Sequence, residues 1–254
     1  MKLFYRVSGS GPPLIVLHGL FGSSDNWFTH AKTLAQHHQV WLVDQRNHGQ
    51  SFHDPQFDYR CLTEDLEAFV REHQIENPFL LGHSMGGKTA MNYALKNPDR
   101  VRGLVVVDIM PKNYPVHHDH ILDGLQAVDL AALSSRTEAD QVLARFIEEV
   151  DVRQFLLKNL ARDVEGKFYW KVNLAAIDAN IESIGAGLVY EGVYNGPTLF
   201  VNGARSTYYR VGDEQRANQL FPHAEWVTLD AGHWVQAERP REFADVVLHF
   251  FGQH

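Results

Sequence analysis

Short apolar, β-rich runs separated by helical patterns predict an α/β protein, a mostly parallel central sheet flanked by helices. Three observations carry this. Six strand-like runs recur along the chain, helical patterns fall between most of them, and 254 residues suffice for one large domain with a sizeable core, or two small ones.

The runs "LIVL" (14–17), "VWLV" (40–43), "FLL" (79–81), "LVVV" (104–107) and "TLFV" (198–201) read as buried strands, and "AEWVTL" (224–229) alternates as a further strand. One helix is expected to begin near Thr63, with Glu64 and Asp65 in its first turn and Leu66, Phe69 and Val70 on one face. Others are expected from Ser84 to about Asn97, before Pro98, over 214–220, and after Pro240 towards Phe251. The alternation breaks between about Lys112 and Gly187. That stretch is helical in pattern, as in "QVLARFIEEV" and "VRQFLLKNLA", with no convincing buried strand. The expected organisation is therefore a core formed by residues 1–111 and 188–254, with 112–187 inserted over one edge of the sheet.

Composition narrows the functional classes. A net charge of -8 gives no general attraction to nucleic acid or anionic membranes. One cysteine, Cys61, excludes an internal disulfide. The start of the chain has no basic-then-apolar signal pattern, and no apolar run is long enough to span a bilayer. A cytoplasmic enzyme is the expectation. The cluster "HHDH", with His117, His118 and His120, lacks the helical i, i+4 spacing of a zinc motif and reads as a solvated loop.

The chemistry concentrates in "FLLGHSMGGKTA" (79–90). Gly82-His83-Ser84-Met85-Gly86 matches G-x-S-x-G, follows a strand run and precedes a helix. A sharp strand-to-helix turn forces the serine into an unfavourable backbone region, at a cost of about 1–3 kcal/mol. The flanking glycines let strand and helix approach. The hydroxyl then projects near a helix N-terminus, where developing negative charge is favoured. Ser84 is the candidate nucleophile. "LIVLHGLFGSSDNW" places His18-Gly19-Leu20 after a strand, and "LDAGHWVQAERP" places His233 in a loop after the last strand. Of 15 histidines, position singles out His233, because a base in that loop can reach over the sheet edge to the serine.

Together these stretches resemble a serine hydrolase of the α/β-hydrolase fold over essentially the whole chain. "VDQRNHGQS" (43–51) is similar to the family's D-x-R-G-x-G-x-S loop, departing from it at Asn47 and His48. With "HGLFGS", "GHSMGGK" and "VDIMP" it resembles the YbfF-like bacterial esterases. The resemblance implies ester or thioester hydrolysis through an acyl-enzyme, with no metal or organic cofactor. Ser84 would attack, His233 would carry the proton, and the N–H groups of Leu20 and Met85 would form the oxyanion hole. The insertion would form a cap shaping the pocket for a small-molecule ester or thioester. Phe21, Trp27 and Trp234 are candidate wall residues, although each would serve equally in core packing.

The triad acid departs from the common pattern. In most relatives it follows the strand "TLFVNG" in a G-x-x-D turn, but here Gly203-Ala204-Arg205-Ser206 puts a serine there. A hydroxyl cannot supply the charge that stabilises an imidazolium. Asp108, ending "GLVVVD" one strand earlier, is the expected acid, as in the YbfF-like arrangement. Asp213, expected as a helix N-cap, and Asp230, a turn former, are its rivals. Dehalogenases and epoxide hydrolases of this fold use an aspartate nucleophile, so Ser84 argues against them. C–C hydrolases, lyases and perhydrolases keep the serine triad, and receptor-like members bind ligand without turnover.

Overall fold

Strand patterns become strands wherever a run is apolar on both faces. The computed structural model describes residues 2–115 and 119–254. Its strands are β1 (Tyr5–Ser8), β2 (Pro13–Leu17), β3 (Gln39–Val43), β4 (Phe79–His83), β5 (Gly103–Val107), β6 (Leu160–Arg162), β7 (Phe168–Trp170), β8 (Thr198–Gly203) and β9 (Ala224–Leu229). Its helices are α1 (Phe28–Leu34), α2 (Tyr59–Glu72), α3 (Met85–Lys96), α4 (Asp119–Gln126), α5 (Arg136–Leu143), α6 (Val150–Leu157), α7 (Leu174–Ala179), α8 (Ile181–Gly185), α9 (Asp213–Leu220), α10 (Val235–Glu238) and α11 (Pro240–Gln253). Seven strands form one sheet in the order β1-β3-β2-β4-β5-β8-β9, and β1 alone among them runs antiparallel to its neighbour.

Side-chain alternation sends the two faces of the sheet into separate cores. Ile15, Leu17, Leu80, Leu104, Val106 and Phe200 pack with Leu66 and Phe69 of α2, Met91 and Ala94 of α3, and Ala217 of α9. Leu14, Val16, Leu81, Val105, Val107 and Val201 pack with Leu34 of α1 and Phe243, Val247 and Phe250 of α11. Residues on α4 to α8 build a third core. It takes in Leu125, Leu143, Leu156 and Ile177, and it runs on without a break to Phe21, Tyr59 and Met85 of the sheet-bearing part. Apolar burial is worth about 25 cal/mol per Å2, so this shared core holds the insertion against the serine turn.

Several details differ from the sequence expectation. Helix α2 starts at Tyr59, because Asp58 caps it by accepting from Cys61 N at 2.8 Å. Helix α9 has Gly212 as its N-cap, in a left-handed conformation, and Asp213 is its first residue. The "QVLARFIEEV" pattern spans the end of α5 and the start of α6, and the insertion carries a two-stranded hairpin, β6–β7. Those strands are three residues each and only Leu160 among them is buried, so they are too short and too exposed to read as core strands. Among the described residues no helix is long and apolar enough to cross a membrane.

Candidate active site

The parallel register aligns three strand ends. His83 pairs with Val107, and Val107 with Val201. Just beyond them, Ser84 N donates to Val107 O at 3.0 Å and Asp108 N donates to Val201 O at 2.9 Å. Ser84 and Asp108 therefore leave neighbouring strands side by side. Both have left-handed φ, +52° and +51°. Such strain in non-glycine residues costs about 1–3 kcal/mol each and persists only where packing enforces it. The enforcement at Ser84 is visible in the glycines. A Cβ on Gly82 would lie 2.2 Å from Gly86 O, and one on Gly86 would lie 2.5 Å from Leu17 O.

His233, in the loop between β9 and α10, joins its Nδ1 to Asp108 Oδ2 at 2.7 Å. A carboxylate oxygen only accepts, so Nδ1 carries the hydrogen and Nε2 presents a lone pair. The Asp108 carboxylate is fully buried and takes two further hydrogen bonds, from Gly203 N at 2.9 Å and from Ser206 Oγ. Ser206, at the position where the family pattern has an aspartate, is thus a donor to Asp108. The rivals are engaged elsewhere. Asp213 pairs with Lys112 at 2.5 Å and accepts from Arg210 N, while Asp230 pairs with Arg205 and Arg239.

Two histidines not singled out from the sequence hold this geometry. His83 is buried, and its Nε2 donates to His233 O at 2.9 Å, which fixes the loop that carries the imidazole. Burial pushes its pKa well below the usual histidine value, and His233 nearby pushes the same way. His48 is fully buried and accepts from Phe21 N at 3.1 Å through Nε2, while its Nδ1 donates to Arg46 O at 2.9 Å. Burial, helped by neighbouring His18, brings its pKa down to about 3. Asn159 of the insertion donates to Phe21 O at 2.7 Å, so Phe21 is held from both sides, with φ +59°. His18 uses the same tautomer: its Nε2 accepts from Gln45 N at 2.9 Å and its Nδ1 donates to Gly19 O at 2.8 Å. Burial lowers its pKa too, against an opposing pull from Asp44.

Asn47 and His48, where the sequence leaves the family's loop pattern, are therefore structural ties. Asn47 Oδ1 accepts from Asn173 of the insertion at 3.0 Å, and His48 braces the loop of Leu20 and Phe21. A motif match could not have revealed this, because the partners are backbone atoms and an insertion residue far away in sequence.

A cleft of about 590 Å3 opens onto Ser84, His233, Leu20, Phe21 and Trp234. A neighbouring pocket of about 560 Å3 shares Gly19, His83 and Phe155 with it and is also lined by Trp27 and Lys158. Phe21 and Trp234 line the cleft at Ser84, whereas Trp27 lines the neighbouring pocket, and both Phe21 and Trp27 are buried members of cores. A separate chamber of about 50 Å3 also reaches Ser84 and is lined by Leu20, Met85, Tyr59 and Lys88. A hollow of about 490 Å3, lined by Glu67, Arg71 and Tyr93, has none of the cleft or chamber residues in its wall. His120 is exposed and lines the cleft, whereas His117 and His118 lie outside the described residues.

The chain belongs to the α/β-hydrolase fold family, whose model matches residues 12–240. Among its relatives are esterases and lipases. It is 36% identical over 232 residues to esterase YbfF of Escherichia coli, covering 90% of this chain and 88% of that one. It is 38% identical over 248 residues to the sn-1-specific diacylglycerol lipase ABHD11 of Mus musculus, covering 94% of this chain and 80% of the relative. A solved marine microorganism esterase superposes with a TM-score of 0.96 at 40% identity, covering 98% and 99% of the two chains.

Proposed function

We propose that this chain is a serine esterase that hydrolyses carboxylic esters or acyl thioesters through an acyl-enzyme. Asp108, His233 and Ser84 act as acid, base and nucleophile. The observation that carries the reading is the 2.7 Å contact from His233 Nδ1 to a fully buried Asp108, with Ser84 strained at the head of α3 in the same cleft.

The chemistry follows from the tautomer. Ser84 Oγ attacks the carbonyl carbon as its proton passes to His233 Nε2, and the imidazolium is stabilised by Asp108. The oxyanion is received by the N–H groups of Leu20 and Met85. Losing one such donor typically costs about 2.7–4 kcal/mol of transition-state stabilisation. The tetrahedral intermediate collapses, the C–O or C–S bond breaks, and Nε2 returns the proton to the leaving group. Water deacylates the enzyme by the same route. The scheme calls on no metal or organic cofactor. The insertion at 112–187 acts as a cap, since its core continues into Phe21 and Met85 beside the serine. The acidic balance and single cysteine fit a cytoplasmic setting.

A fluorophosphonate should label Ser84 alone, and Ser84→Ala should abolish ester turnover while the protein stays folded. Typical losses on removing a triad nucleophile are about 10⁶-fold in kcat. A folded Ser84→Ala variant with wild-type turnover would overturn the reading.

A further inference from the structure

The small chamber at Ser84 differs from the cleft in one respect that matters chemically. Both reach Ser84 and Leu20, but His233 lines the cleft and does not line the chamber. The leaving group must receive its proton from His233, so it belongs in the cleft. The chamber is left for the acyl group, whose carbonyl it would flank with both oxyanion residues, Leu20 and Met85. A water-sized group takes about 10–15 Å3 of such room. The 50 Å3 chamber therefore accepts about three to five heavy atoms beyond the carbonyl.

Its wall is mostly apolar, with Ile109, Ile181 and Ile184 contributing, yet it contains a lysine. Lys88 lies one helical turn after Ser84, on the same face of α3, and is 1% exposed. Its ammonium donates to Gly185 O at 3.2 Å and to Ala186 O, and sits 5.3 Å and 4.9 Å from the ring centres of Tyr59 and Tyr114. An ammonium has three N–H donors. Among the described residues the third has no acceptor, and no carboxylate pairs with the charge. Carbonyls and ring faces satisfy hydrogens without neutralising a cation, so burial remains costly. That cost shows as a pKa drawn down by burial to about 7. Tethering the insertion to α3 alone would need only a neutral donor. A bound anion would relieve the cost.

We propose that Lys88 makes this chamber a subsite for a short acyl group ending in a carboxylate, so that monoesters or monothioesters of small dicarboxylic acids are preferred substrates. The proposal rests on the reading of Ser84 as the acylated residue. Hydrolysis proceeds as described above, with the distal carboxylate held by Lys88 and unchanged in the reaction.

The test compares monoethyl succinate with ethyl 4-methylpentanoate. These acyl groups have the same shape, with five heavy atoms beyond the carbonyl, and differ in the charged end. At pH 6.5 the wild-type enzyme should prefer the succinate in kcat/KM by at least tenfold, and Lys88→Met should remove that preference. Lys88→Arg keeps the charge and should retain part of it. Without any variant, the wild-type ratio should fall as pH rises through about 7, because the ammonium is lost. Titration of the triad acts on both esters and cancels in the ratio. Tyr59, Tyr114 and Tyr208, which face Lys88 or line its chamber, have pKa values raised by burial and stay neutral through this range. A wild-type ratio below one overturns the proposal. So does a ratio unchanged in folded Lys88→Met, or one flat from pH 6 to 8.5. Turnover of the neutral ester without acid preference removes the subsite alone. Turnover of neither ester, nor of any simple ester, removes ester hydrolysis with it.

Discussion

His233 and the trio His18, His48 and His83 crowd the same end of the sheet, yet they are bonded in opposite ways. His233 keeps one ring edge towards the cleft and gives the other to a carboxylate, with its side chain 22% exposed. The trio is buried and bonded to backbone atoms: Gln45 N and Gly19 O for His18, Phe21 N and Arg46 O for His48, and His233 O for His83. His18 and His48 each accept a hydrogen bond at Nε2 and must stay neutral to keep it, while burial disfavours the charged form of His83. An imidazole near a serine is thus a scaffold when its partners are amides. It becomes a candidate base when one partner is an anion and the other side is open to substrate.

The sharpest way to break this contrast is to remove the anion while keeping the shape. Asp108→Asn should lower kcat for a simple ester by about 10⁴-fold, since an amide can hold the imidazole in the wrong tautomer. Asp213→Asn should remain close to wild type, because its carboxylate serves Lys112 and the start of α9. Steady-state kinetics with stability measured on both variants decides it, and the reverse pattern would return the acid to the loop after β8.

The scaffold side of the contrast is tested at His48. His48→Leu leaves Phe21 N without its acceptor, whereas His48→Gln can offer an amide oxygen where Nε2 stood. A buried donor left unsatisfied costs about 1–3 kcal/mol. That cost should appear as lower stability and as a kcat reduced roughly tenfold or more, because the loop carrying Leu20 loses its brace. The glutamine variant should recover most of both. Equal losses in the two variants would show that His48 acts by packing alone.

Much of this was legible in the chain, for identifiable reasons. The strands β2, β3, β4, β5 and β8 were readable because each is apolar on both faces, and Ser84 because its glycines are dictated by backbone approach at 2.2–2.5 Å. The expectation that Asp108 serves His233 came from the resemblance to YbfF-like esterases, once Ser206 was seen to lack a charge, and His233 Nδ1 lies 2.7 Å from Asp108 Oδ2. Strand β1 was missed: it is an edge strand with two exposed positions and no apolar run. The hairpin β6–β7 escaped because its strands are only three residues each. His48 and His83 were missed because nothing local marks them. Their partners lie 27 and 150 residues away and are main-chain atoms, which no side-chain pattern encodes. Lys88 could be read only as a helix residue until its burial beside Ser84 was seen.

The smallest expected effect separates the two kinds of histidine by stability rather than by rate. An unfolded histidine titrates near ~6.5. In the folded protein, burial holds His18, His48 and His83 below that value, His48 at about 3. Between the two values the unfolded chain binds protons that the folded chain refuses. The stabilising contribution is therefore complete above about pH 6.5 and is lost as pH falls towards the folded value. Each tenfold difference in proton affinity is worth about 1.4 kcal/mol, so moving from pH 7 to pH 5 should remove roughly 2 kcal/mol through His48 alone. Urea unfolding at the two pH values measures this. His48→Gln starts from lower stability at pH 7 but carries one fewer refused proton, so its curve should fall less steeply. Parallel losses in the wild type and His48→Gln would mean that His48 is already protonated in the folded state at pH 5. Its bond to Phe21 N could not then be drawn with a neutral ring, and the distinction between scaffold and base would fail at that residue.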